Sequence, residues 1–532
     1  MMKILLPEKI AESGIELLRK DFEVDEKYNL SPEALLECIG EYDALIVRSA
    51  TKVTSEVIEK GSKLKVIGRA GTGVDNIDVE TATRKGIIVV NTPESNNIST
   101  AEHTIALMLA LARNIPQAYS TLKNGKWMRS KFKGVELYNK TVVILGLGRI
   151  GSNVANRLKS FGMNVMGYDP YVNDDRFDRL GVQRITSIEE AMRVADFITV
   201  HLPKTQETMG IIGERELSMA KPNLRIINCA RGGLVDEEAL YNALKSGKIA
   251  GAAIDVFKAE PKESAGGTDF SHKLLELDNV IFTPHLGAST QEAQENVGID
   301  IAKQVSEALK GNIVNAVNLH GLNVQNMTAL APYLKMARIL GKMYYSAEKF
   351  PVQKVELIYS GDITNKETKL VTLSYLSGLL DPIMEERVNF VNVGMMIKER
   401  GIEVIESKRS DVDHYTNLVT VKVTNRKKAV TFAGTVFGKD EIRIVNFGGY
   451  EVDFEPTPYM LIIQNYDRPG VIGRIGTILG EANVNIATMR VSQNRREGKA
   501  LMVLNIDHDV SPETIKRIEE VDNILKVSLI KL

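Results

Sequence analysis

The sequence predicts an α/β protein of several domains, and three observations support this prediction. The chain has 532 residues, more than one hydrophobic core usually serves. From residue 3 to about 91, and again from 141 to about 283, short apolar runs alternate with segments of helical periodicity, as in parallel sheets covered on both faces by helices. After about residue 315 the strands become polar, for example at 417–423 and 441–447, which indicates an α+β arrangement.

The composition argues against several classes of partner. Charged residues make up 25% of the chain and the net charge is -1, so we expect no nucleic-acid partner and no acidic membrane surface as partner. The two cysteines, Cys38 and Cys229, show no metal-ligand spacing, and we expect no metal site. The apolar start of the chain ends at Pro7, which is too short for a signal peptide. These features predict a cytoplasmic protein that acts on small molecules.

The C-terminal part of the chain predicts two further domains. Pro456 and Pro458 indicate a linker, because proline stiffens the chain and cannot donate a ladder hydrogen bond. Beyond the linker the sequence predicts strand, helix, strand, strand, helix and strand at 459–465, 471–482, 486–492, 499–507, 512–518 and 524–530. This βαββαβ order is ferredoxin-like. We therefore predict an intervening α+β domain over residues 316–455 and a ferredoxin-like domain over residues 456–532.

A glycine-rich loop follows the first strand of the second α/β region, with the sequence Gly146-Leu147-Gly148-Arg149-Ile150-Gly151. A GxGxxG pattern alone is a weak signal, but here it lies between a buried strand at 141–145 and a helix at 152–161. Gly146 would permit the tight turn, Gly148 the approach of a pyrophosphate, and Gly151 the close packing of helix and strand. The helix N-terminus would face the phosphates. The context predicts a Rossmann-type dinucleotide site.

Asp169 indicates which dinucleotide is bound. It ends the second strand of this region, where the adenosine ribose of a bound cofactor would lie. A carboxylate there accepts hydrogen bonds from the ribose hydroxyls and repels a 2′-phosphate, so we predict NAD rather than NADP. The alternative is an ordinary surface Asp after a helix-starting loop.

Reactive side chains follow four further strands of this region, at the edge where an open α/β sheet binds its ligands. They are His201, Arg231, Glu260 and His285. A histidine can take the proton from a hydroxyl group, a carboxylate beside it stabilises the imidazolium, and a guanidinium binds a carboxylate and polarises the neighbouring oxygen. These residue types fit the oxidation of a hydroxy acid. The residues alone leave both His201 and His285 open as the base.

The chain resembles the D-isomer-specific 2-hydroxyacid dehydrogenase family, and within it the phosphoglycerate dehydrogenases. The matching stretches are 47–51, 68–76, 146–151, 228–233, 255–261 and 284–289. The resemblance implies that His285 is the acid/base, Glu260 its partner and Arg231 the anchor of the substrate carboxylate. It implies that His201, Cys229 and Asp255 line the cofactor pocket, as the loop residues Arg149 and Ile150 do.

The resemblance also implies a domain arrangement and a substrate. Residues 99–286 would form the NAD-binding Rossmann domain, and residues 1–98 with 287–315 a discontinuous, flavodoxin-like substrate domain. The substrate would be 3-phosphoglycerate. Arg48 and Arg69 each lie at the end of a predicted strand and suit a phosphate dianion, although either could instead pair with an acid such as Asp75 or cap a helix. Asn97, expected in the hinge before a long helix, and Arg129, expected to reach a neighbouring subunit, would also contact the substrate.

Two other activities stay open at this stage. One is the same hydride chemistry on another D-2-hydroxy acid, such as glyoxylate or hydroxypyruvate reduction. The other is an NADH sensor or corepressor without turnover.

The C-terminal domain resembles the ACT amino-acid-binding module, on the loop 465–470 and the segment 483–486. The resemblance implies an amino-acid ligand, held by Asp467 and Asn485 at a subunit interface, and L-serine as the effector of a serine-synthesis enzyme. It also implies a homo-oligomer, and we expect a tetramer. The alternative is a dimerisation domain that has lost its ligand. For the 316–455 domain, anion sensing and simple spacing both stay open.

Overall fold

The computed structural model describes residues 1–261, 267–312, 314, 316–319, 329–348, 350–385, 387–411 and 414–532. These residues form four sheets with five, seven, six and four strands. The first two sheets are parallel and the last two are mainly antiparallel, so the predicted fold class is confirmed. Short 3-10 helices occupy Ile39–Glu41, Arg129–Lys131, Lys273–Glu276, Asp362–Asn365 and Asp381–Ile383.

The first sheet is parallel throughout and has the flavodoxin-like order β2-β1-β3-β4-β5. Its strands are β1 Lys3–Leu6, β2 Glu23–Glu26, β3 Ala44–Val47, β4 Val66–Arg69 and β5 Ile88–Asn91. Helices α1 Glu12–Arg19, α2 Pro32–Cys38, α3 Ser55–Lys60 and α4 Val79–Arg84 connect them. Separate apolar clusters cover the two faces of this sheet.

The second sheet is also parallel, with the order β12-β11-β10-β9-β6-β7-β8. Its strands are β6 Thr141–Leu145, β7 Asn164–Tyr168, β8 Gln183–Arg184, β9 Phe197–Val200, β10 Arg225–Asn228, β11 Gly251–Ile254 and β12 Val280–Phe282. Its helices are α5 Asn97–Ala112, α6 Ile115–Lys123, α7 Arg149–Ser160, α8 Asp174–Leu180, α9 Ile188–Val194, α10 Glu214–Ser218 and α11 Glu237–Lys245. The strand order reverses between β6 and β9, which opens the crevice where Rossmann-type sheets bind nucleotides.

After the second sheet the chain returns to the first through helix α12, Gln291–Leu309. Small residues let this helix lie directly against α1, because a Cβ on Gly14 would overlap the carbonyl of Gly298. A Cβ on Gly68 of β4 would likewise lie 2.7 Å from Val305 of α12. The first sheet is thus covered by helices that come both before and after the second sheet in the sequence. The predicted domain boundary at residue 315 lies outside the described residues.

The third and fourth sheets share one apolar core. The third has the order β14-β13-β15-β16-β17-β18 and the fourth β20-β21-β19-β22. Met460, Ile462 and Val503 of the fourth sheet pack into the main cluster of the third. The strands are β13 Val352–Gly361, β14 Glu403–Arg409, β15 Asn417–Asn425, β16 Ala429–Phe437, β17 Glu441–Phe447, β18 Tyr450–Phe454, β19 Tyr459–Tyr466, β20 Ile486–Asn494, β21 Lys499–Ile506 and β22 Ile524–Lys531. The helices are α13 Ala331–Ala347, α14 Thr368–Leu380, α15 Val393–Glu399, α16 Val471–Glu481 and α17 Pro512–Glu519.

The fourth sheet has the predicted βαββαβ order, with α16 and α17 on one face. Across the described part of the chain, no helix combines the length and apolar character that crossing a membrane requires.

Candidate active site

Each of the three loop glycines meets a different environment. Gly146 has φ +96°, and a Cβ there would lie 2.6 Å from the carbonyl oxygen of His201. A Cβ on Gly151 would overlap the carbonyl oxygen of Gly146. A Cβ on Gly148, in contrast, would point into open space. Gly146 and Gly151 are therefore required by the fold of the loop, whereas Gly148 leaves a space beside the backbone.

Asp169 holds the glycine loop in place. Its Oδ2 accepts a hydrogen bond of 2.9 Å from the N–H of Leu147, and its Oδ1 accepts one of 3.1 Å from Tyr171. Arg149 forms an exposed ion pair of 3.1 Å with Glu94, and Ile150 is half-buried. The open side of Gly148, the start of α7 and a carboxylate at the end of β7 together fit a dinucleotide with an unmodified ribose.

His285 and Glu260 lie at the ends of neighbouring strands and are in direct contact. Nδ1 of His285 is 2.8 Å from Oε2 of Glu260, while Oε1 of Glu260 accepts a hydrogen bond of 3.1 Å from the N–H of Phe257. Burial acts to raise the pKa of the Glu260 carboxyl, but the hydrogen bond and charge of His285 and the Phe257 N–H lower it below its usual value. Glu260 is therefore ionised at neutral pH. The contact leaves Nε2 of His285 for a ligand.

The backbone of His285 is held in an uncommon conformation. Its φ of +54° lies in the left-handed region, which a residue with a Cβ adopts only when its surroundings fix it. Its N–H donates to the carbonyl of Asp255 at 2.8 Å. The buried Asp255 carboxylate accepts hydrogen bonds from the N–H groups of Leu286 at 2.8 Å and Gly287 at 3.0 Å. Asp255 thus fixes the loop that carries the histidine.

His103 of α5 completes this arrangement, with Nε2 at 3.2 Å from Oδ1 of Asp255 and 3.1 Å from the hydroxyl of Thr283. Thr283 also donates to Asp255 at 2.6 Å. Both carboxylate oxygens of Asp255 thus have hydrogen-bond partners within the chain. Whether Asp255 also contacts the nicotinamide stays a prediction.

Arg231 follows β10 and reaches across the cleft. Its Nε donates to Oδ2 of Asp75, which follows β4, at 3.1 Å. The side chain of Asn228 holds the turn that leads to Arg231. It accepts a 3.0 Å hydrogen bond from the N–H of Ala230 and donates one of 3.0 Å to the carbonyl of Arg231. A Cβ on Gly232 would overlap the backbone of Phe257, so this glycine lets the Arg231 loop lie directly against the loop that leads to Glu260. Arg231, Glu260 and His285 therefore lie at the ends of three adjacent strands.

His201 and Cys229 are held in their neutral forms. The half-buried His201 has a hydroxyl partner in Thr199 at 2.9 Å, and burial lowers the pKa of its imidazole to about 4. Burial, together with the negative charge of Asp255, raises the pKa of the Cys229 thiol to about 12. Neither residue changes its charge near neutral pH, and His201 has no carboxylate partner in the described chain.

The opposite wall of the cleft carries Arg48 and Arg69. Burial and the positive charges of Arg231 and Arg48 lower the pKa of Arg69 to about 10, although the charges of Glu8 and Asp75 act to raise it. The guanidinium is therefore still charged at neutral pH. Its Nε is buried without a hydrogen-bond partner in the described chain, and its Nη1 donates to the carbonyl of Ala70 at 2.7 Å. Cβ atoms on Gly71 and Gly73 would overlap the guanidinium groups of Arg69 and Arg231. This glycine loop makes room for both cations.

Glu8 holds the loop that carries Arg48. Its Oε1 accepts hydrogen bonds of 2.9 Å from the N–H groups of Arg48 and Thr51, and its Oε2 accepts one of 3.1 Å from Ala50. The side chain of Asn76 donates to the carbonyls of Arg48 and Thr51 at 2.8 and 2.6 Å. The position of Arg48 is thus set by five hydrogen bonds to its loop.

Asn97 and Arg129 are less closely tied to the cleft. Asn97 is the first residue of α5 rather than part of a preceding hinge, and no described residue hydrogen-bonds its half-buried side chain. Its neighbour Asn96 instead accepts a 2.8 Å bond from Thr72. Arg129 is exposed in a short 3-10 helix. Substrate contact by either residue stays a prediction.

Asp467 and Asn485 lie at opposite ends of the fourth sheet. Asp467 follows the end of β19, whereas Asn485 precedes β20 at the level of Tyr459, where β19 begins. At about 3.3 Å per residue, the length of β19 separates them by roughly 25 Å. Both side chains are exposed. One chain alone cannot bring both residues to a ligand as small as an amino acid.

Three family models match the chain. They are the NAD-binding domain of D-isomer specific 2-hydroxyacid dehydrogenases over residues 105–287, the D-3-phosphoglycerate dehydrogenase intervening domain over 329–448 and the ACT domain over 459–523. The D-3-phosphoglycerate dehydrogenase of Methanocaldococcus jannaschii is 46% identical, and that of Bacillus subtilis 42%, each over 100% of both chains. The chain belongs to the D-3-phosphoglycerate dehydrogenase family. The resemblance seen in the sequence is confirmed, and the protein is an NAD-dependent oxidoreductase.

Solved structures resemble about three fifths of the chain. A protein from Pyrococcus horikoshii OT3 is 33% identical, with a TM-score of 0.52, and the match covers 60% of this chain and 95% of that one. The NADPH-dependent glyoxylate/hydroxypyruvate reductase from Sinorhizobium meliloti is 27% identical, with a TM-score of 0.52 and coverage of 59% and 96%. These similarities include an enzyme whose name gives NADPH as the cofactor and glyoxylate and hydroxypyruvate as substrates, so likeness of the first two sheets alone does not identify a substrate.

Four residues of the cleft were not predicted from the sequence: Glu8, Asp75, Asn96 and His103. Their partners are distant in the sequence. The sequence suggests Asp75 only as a possible partner of Arg48 or Arg69, whereas its hydrogen bond is to Arg231.

Proposed function

We propose that this protein oxidises 3-phospho-D-glycerate to 3-phosphohydroxypyruvate with NAD, the first committed step of L-serine biosynthesis. The grouping of Arg48, Arg69 and Arg231 is the observation that supports this most directly. The pKa of Arg69 is lowered by burial and by the other two cations, which means that the cleft concentrates positive charge. A substrate with a phosphate at one end and a carboxylate at the other would compensate that charge.

Each residue has a role that follows from its contacts. Nε2 of His285 would accept the proton of the 2-hydroxyl, and the resulting imidazolium would be stabilised by Glu260, whose carboxylate already contacts Nδ1. Arg231 would bind the substrate carboxylate and polarise the oxygen that becomes the ketone. The loop from Gly146 to Gly151 and Asp169 would hold NAD, which would supply the acceptor for the hydride.

The phosphate would lie at the other wall. The buried Nε of Arg69, which no described residue accepts, provides a donor for an anionic oxygen. Arg48 is anchored through its backbone, which leaves its guanidinium available, with one 3.4 Å contact to the carbonyl of Lys9. Asn97, whose side chain no described residue hydrogen-bonds, would donate its amide to the substrate.

The alternatives require a different use of the same cleft. A reductase for unphosphorylated acids such as glyoxylate, the substrate in the name of the S. meliloti relative, has no need for the buried Nε of Arg69, which no residue of the described chain accepts. An NADH sensor without turnover has no need for the contact between His285 and Glu260. Both features therefore favour a dehydrogenase with a phosphorylated substrate.

Initial rates of NADH formation test the substrate. We expect kcat/KM for 3-phosphoglycerate to exceed that for D-glycerate at least hundredfold. Arg69→Met should reduce kcat/KM for 3-phosphoglycerate at least about hundredfold, since two charge-assisted bonds contribute about 1.5–3 kcal/mol each, and should change that for glycerate little. Equal activity on the two acids would refute the proposed substrate while leaving the dehydrogenase chemistry intact.

We also propose that the protein is a homo-oligomer, a tetramer, inhibited by L-serine bound between two ACT domains. Because Asp467 and Asn485 lie at opposite ends of one sheet, a shared ligand needs one residue from each of two chains. Exposed apolar side chains on and after α6, namely Tyr119, Leu122, Trp127 and Tyr138, offer a second surface for self-association.

Inhibition by L-serine in wild type, Asp467→Asn and Asn485→Ala tests the effector. We expect each variant to raise the inhibitory concentration at least tenfold without changing basal turnover. Mixing the two serine-insensitive variants should restore partial inhibition if the site combines Asp467 of one chain with Asn485 of another. Full sensitivity in both variants would exclude this site, and sedimentation analysis separately tests the tetramer.

A further inference from the structure

A second group of cations lies away from the cleft, at the opposite edge of the first sheet. An open cavity of about 420 Å³ is lined there by Lys63, Lys65, Lys85 and Arg387, with Ser62 and Asp43. Asp43 and Lys65 immediately precede β3 and β4, and Lys85 follows α4. The cavity thus lies at the amino ends of the parallel strands, whereas the cleft lies at their carboxyl ends.

Arg387 reaches this cavity from the chain segment that leads into α15. The segment is fixed against the first sheet, because Nδ2 of Asn389 donates to the carbonyl of Gly86 at 2.6 Å. A Cβ on Gly86 would lie 2.8 Å from the amide of Asn392, and Val391 is buried in the core beside the first sheet. The cavity therefore lies where the segment that leads into α15 packs against the first sheet.

The positive charges of the cavity exceed its negative charge. Asp43 is already engaged, since its Oδ1 forms a 2.9 Å ion pair with Lys65 and its Oδ2 accepts a 2.9 Å bond from the N–H of Lys3. Burial acts to raise the pKa of Asp43, but Lys65, the Lys3 N–H and the charge of Lys63 lower it. Within the described ranges, no acid forms an ion pair with Lys63, Lys85 or Arg387.

For Arg387, no described carboxylate compensates the charge of the guanidinium. Burial and the positive charge of Arg338 lower its pKa, and Arg338 itself forms an ion pair of 3.3 Å with Asp381. A guanidinium in this situation binds tetrahedral oxyanions well, because its fixed fork of N–H donors matches two of their oxygens. Lys63 and Lys85 add charges that can adapt to the ligand.

We propose that this cavity binds a phosphate monoester, held by Arg387 and Lys85 with Lys63. Its volume lies within the range of small-molecule sites and leaves room for an organic group beside the phosphate. The ligand would contact the first sheet through the lysines and the third-sheet region through Arg387. It would therefore stabilise the junction between them. The proposal does not depend on the substrate of the cleft.

Calorimetric titration of the full-length protein tests the site, with inorganic phosphate and glycerol 2-phosphate as probes. The background is the Arg48→Met/Arg69→Met double variant, so that phosphate bound in the cleft does not contribute. We expect one binding event per chain, tighter for the ester. Lys85→Met and Arg387→Met should each weaken it at least tenfold, and Lys20→Met, which removes an exposed charge elsewhere on the first domain, should leave it unchanged.

Several results would overturn the proposal. These are the absence of binding in the double-variant background, or binding that survives both Lys85→Met and Arg387→Met. Tighter binding of inorganic phosphate than of the ester would contradict the ligand class. Lys63→Met serves as a second variant should Arg387→Met fail to fold. In an otherwise wild-type chain, Lys85→Met should keep the basal rate of NADH formation, which separates this site from the cleft.

Discussion

Arg231 and Asp75 form an ion pair across the cleft, with Nε of the arginine 3.1 Å from Oδ2 of the aspartate. Arg231 follows β10 of the second sheet and Asp75 follows β4 of the first. The pair therefore joins the two walls at the point where we propose that the substrate carboxylate binds. The Asp75 carboxylate thus accepts a hydrogen bond from the same guanidinium group that would bind the substrate carboxylate.

The first prediction is that Asp75→Asn lowers KM for the hydroxy acid. Both partners are partly exposed, at 29% and 53%, and such pairs contribute about 0–1 kcal/mol. Removing the competing charge should therefore lower KM by up to about fivefold, with little change in kcat. Steady-state kinetics measure this, with Glu80→Gln as a control that removes an exposed carboxylate nearby. A raised KM would mean instead that Asp75 orients Arg231 in the complex.

A second prediction separates the two histidines. His285→Gln should reduce kcat by about 10²–10⁴, the usual contribution of a general base. His201→Gln should stay within about fivefold of wild type, because the pKa of His201 is lowered by burial to about 4 and the ring is too weakly basic to serve. Affinity for NADH, measured by fluorescence, checks that both variants fold. The reverse pattern of kcat would exchange the two roles.

The sequence predicted the sheets because buried parallel strands are uninterrupted apolar runs. It did not predict β2 and β8, which are edge strands with the polar sequences Glu23–Glu26 and Gln183–Arg184. Such strands are held by pairing to one neighbour rather than by burial, so no local pattern marks them. The C-terminal strands were found because turn residues and a proline linker separate them.

In the cleft, too, local sequence patterns predicted some residues and not others. Arg231, Glu260 and His285 could be predicted because each follows a strand, and the carboxyl ends of parallel strands share one edge. The choice between His201 and His285 could not, because both follow strands. It depends on Glu260 contacting one of them, at 2.8 Å. Glu8 and Asp75 act on residues 40 and 156 positions away, a relationship that periodicity does not contain.

A third prediction concerns pH. Glu260→Gln should reduce kcat roughly 10–100-fold, as is usual when the partner of a functional histidine is changed. The pKa of Glu260 is lower in the folded protein than in the unfolded chain. The ionised carboxylate therefore stabilises the fold at pH values above the usual pKa of a glutamate, and this stabilisation is lost as the pH falls through the pKa of the folded state. The difference in the free energy of unfolding between wild type and variant should therefore shrink towards low pH. Urea titrations between pH 7 and pH 3 measure it, and a constant difference would contradict the ion pair.

The fourth prediction distinguishes two glycines of the nucleotide loop. Gly151→Ala should destabilise the protein by about 1–3 kcal/mol, since its Cβ would overlap the carbonyl of Gly146. Gly148→Ala should leave the melting temperature nearly unchanged, because its Cβ meets open space and its φ of -66° suits alanine. It should nevertheless weaken NAD binding at least tenfold, because the added methyl group would lie where the pyrophosphate approaches. Wild-type affinity in Gly148→Ala would show that the pyrophosphate does not bind there.

The last prediction tests whether Glu8 positions Arg48 for a phosphate. Both oxygens of the Glu8 carboxylate accept N–H groups of the loop 48–51. In Glu8→Gln one of these oxygens becomes an NH₂ group that faces an N–H, so the loop should shift. Loss of one charge-assisted bond corresponds to about 1.5–3 kcal/mol. We therefore expect KM for 3-phosphoglycerate to rise at least tenfold, with kcat nearly unchanged.

Glycerate provides the control, because it lacks the phosphate that Arg48 would bind. Its KM should be the same in Glu8→Gln and wild type, and Glu16→Gln, which changes an exposed carboxylate on α1, should alter neither substrate. A loss of general stability would raise both KM values or lower kcat for both acids. An increase confined to the phosphorylated acid therefore places the effect of Glu8 at the phosphate end of the cleft, through the position of Arg48.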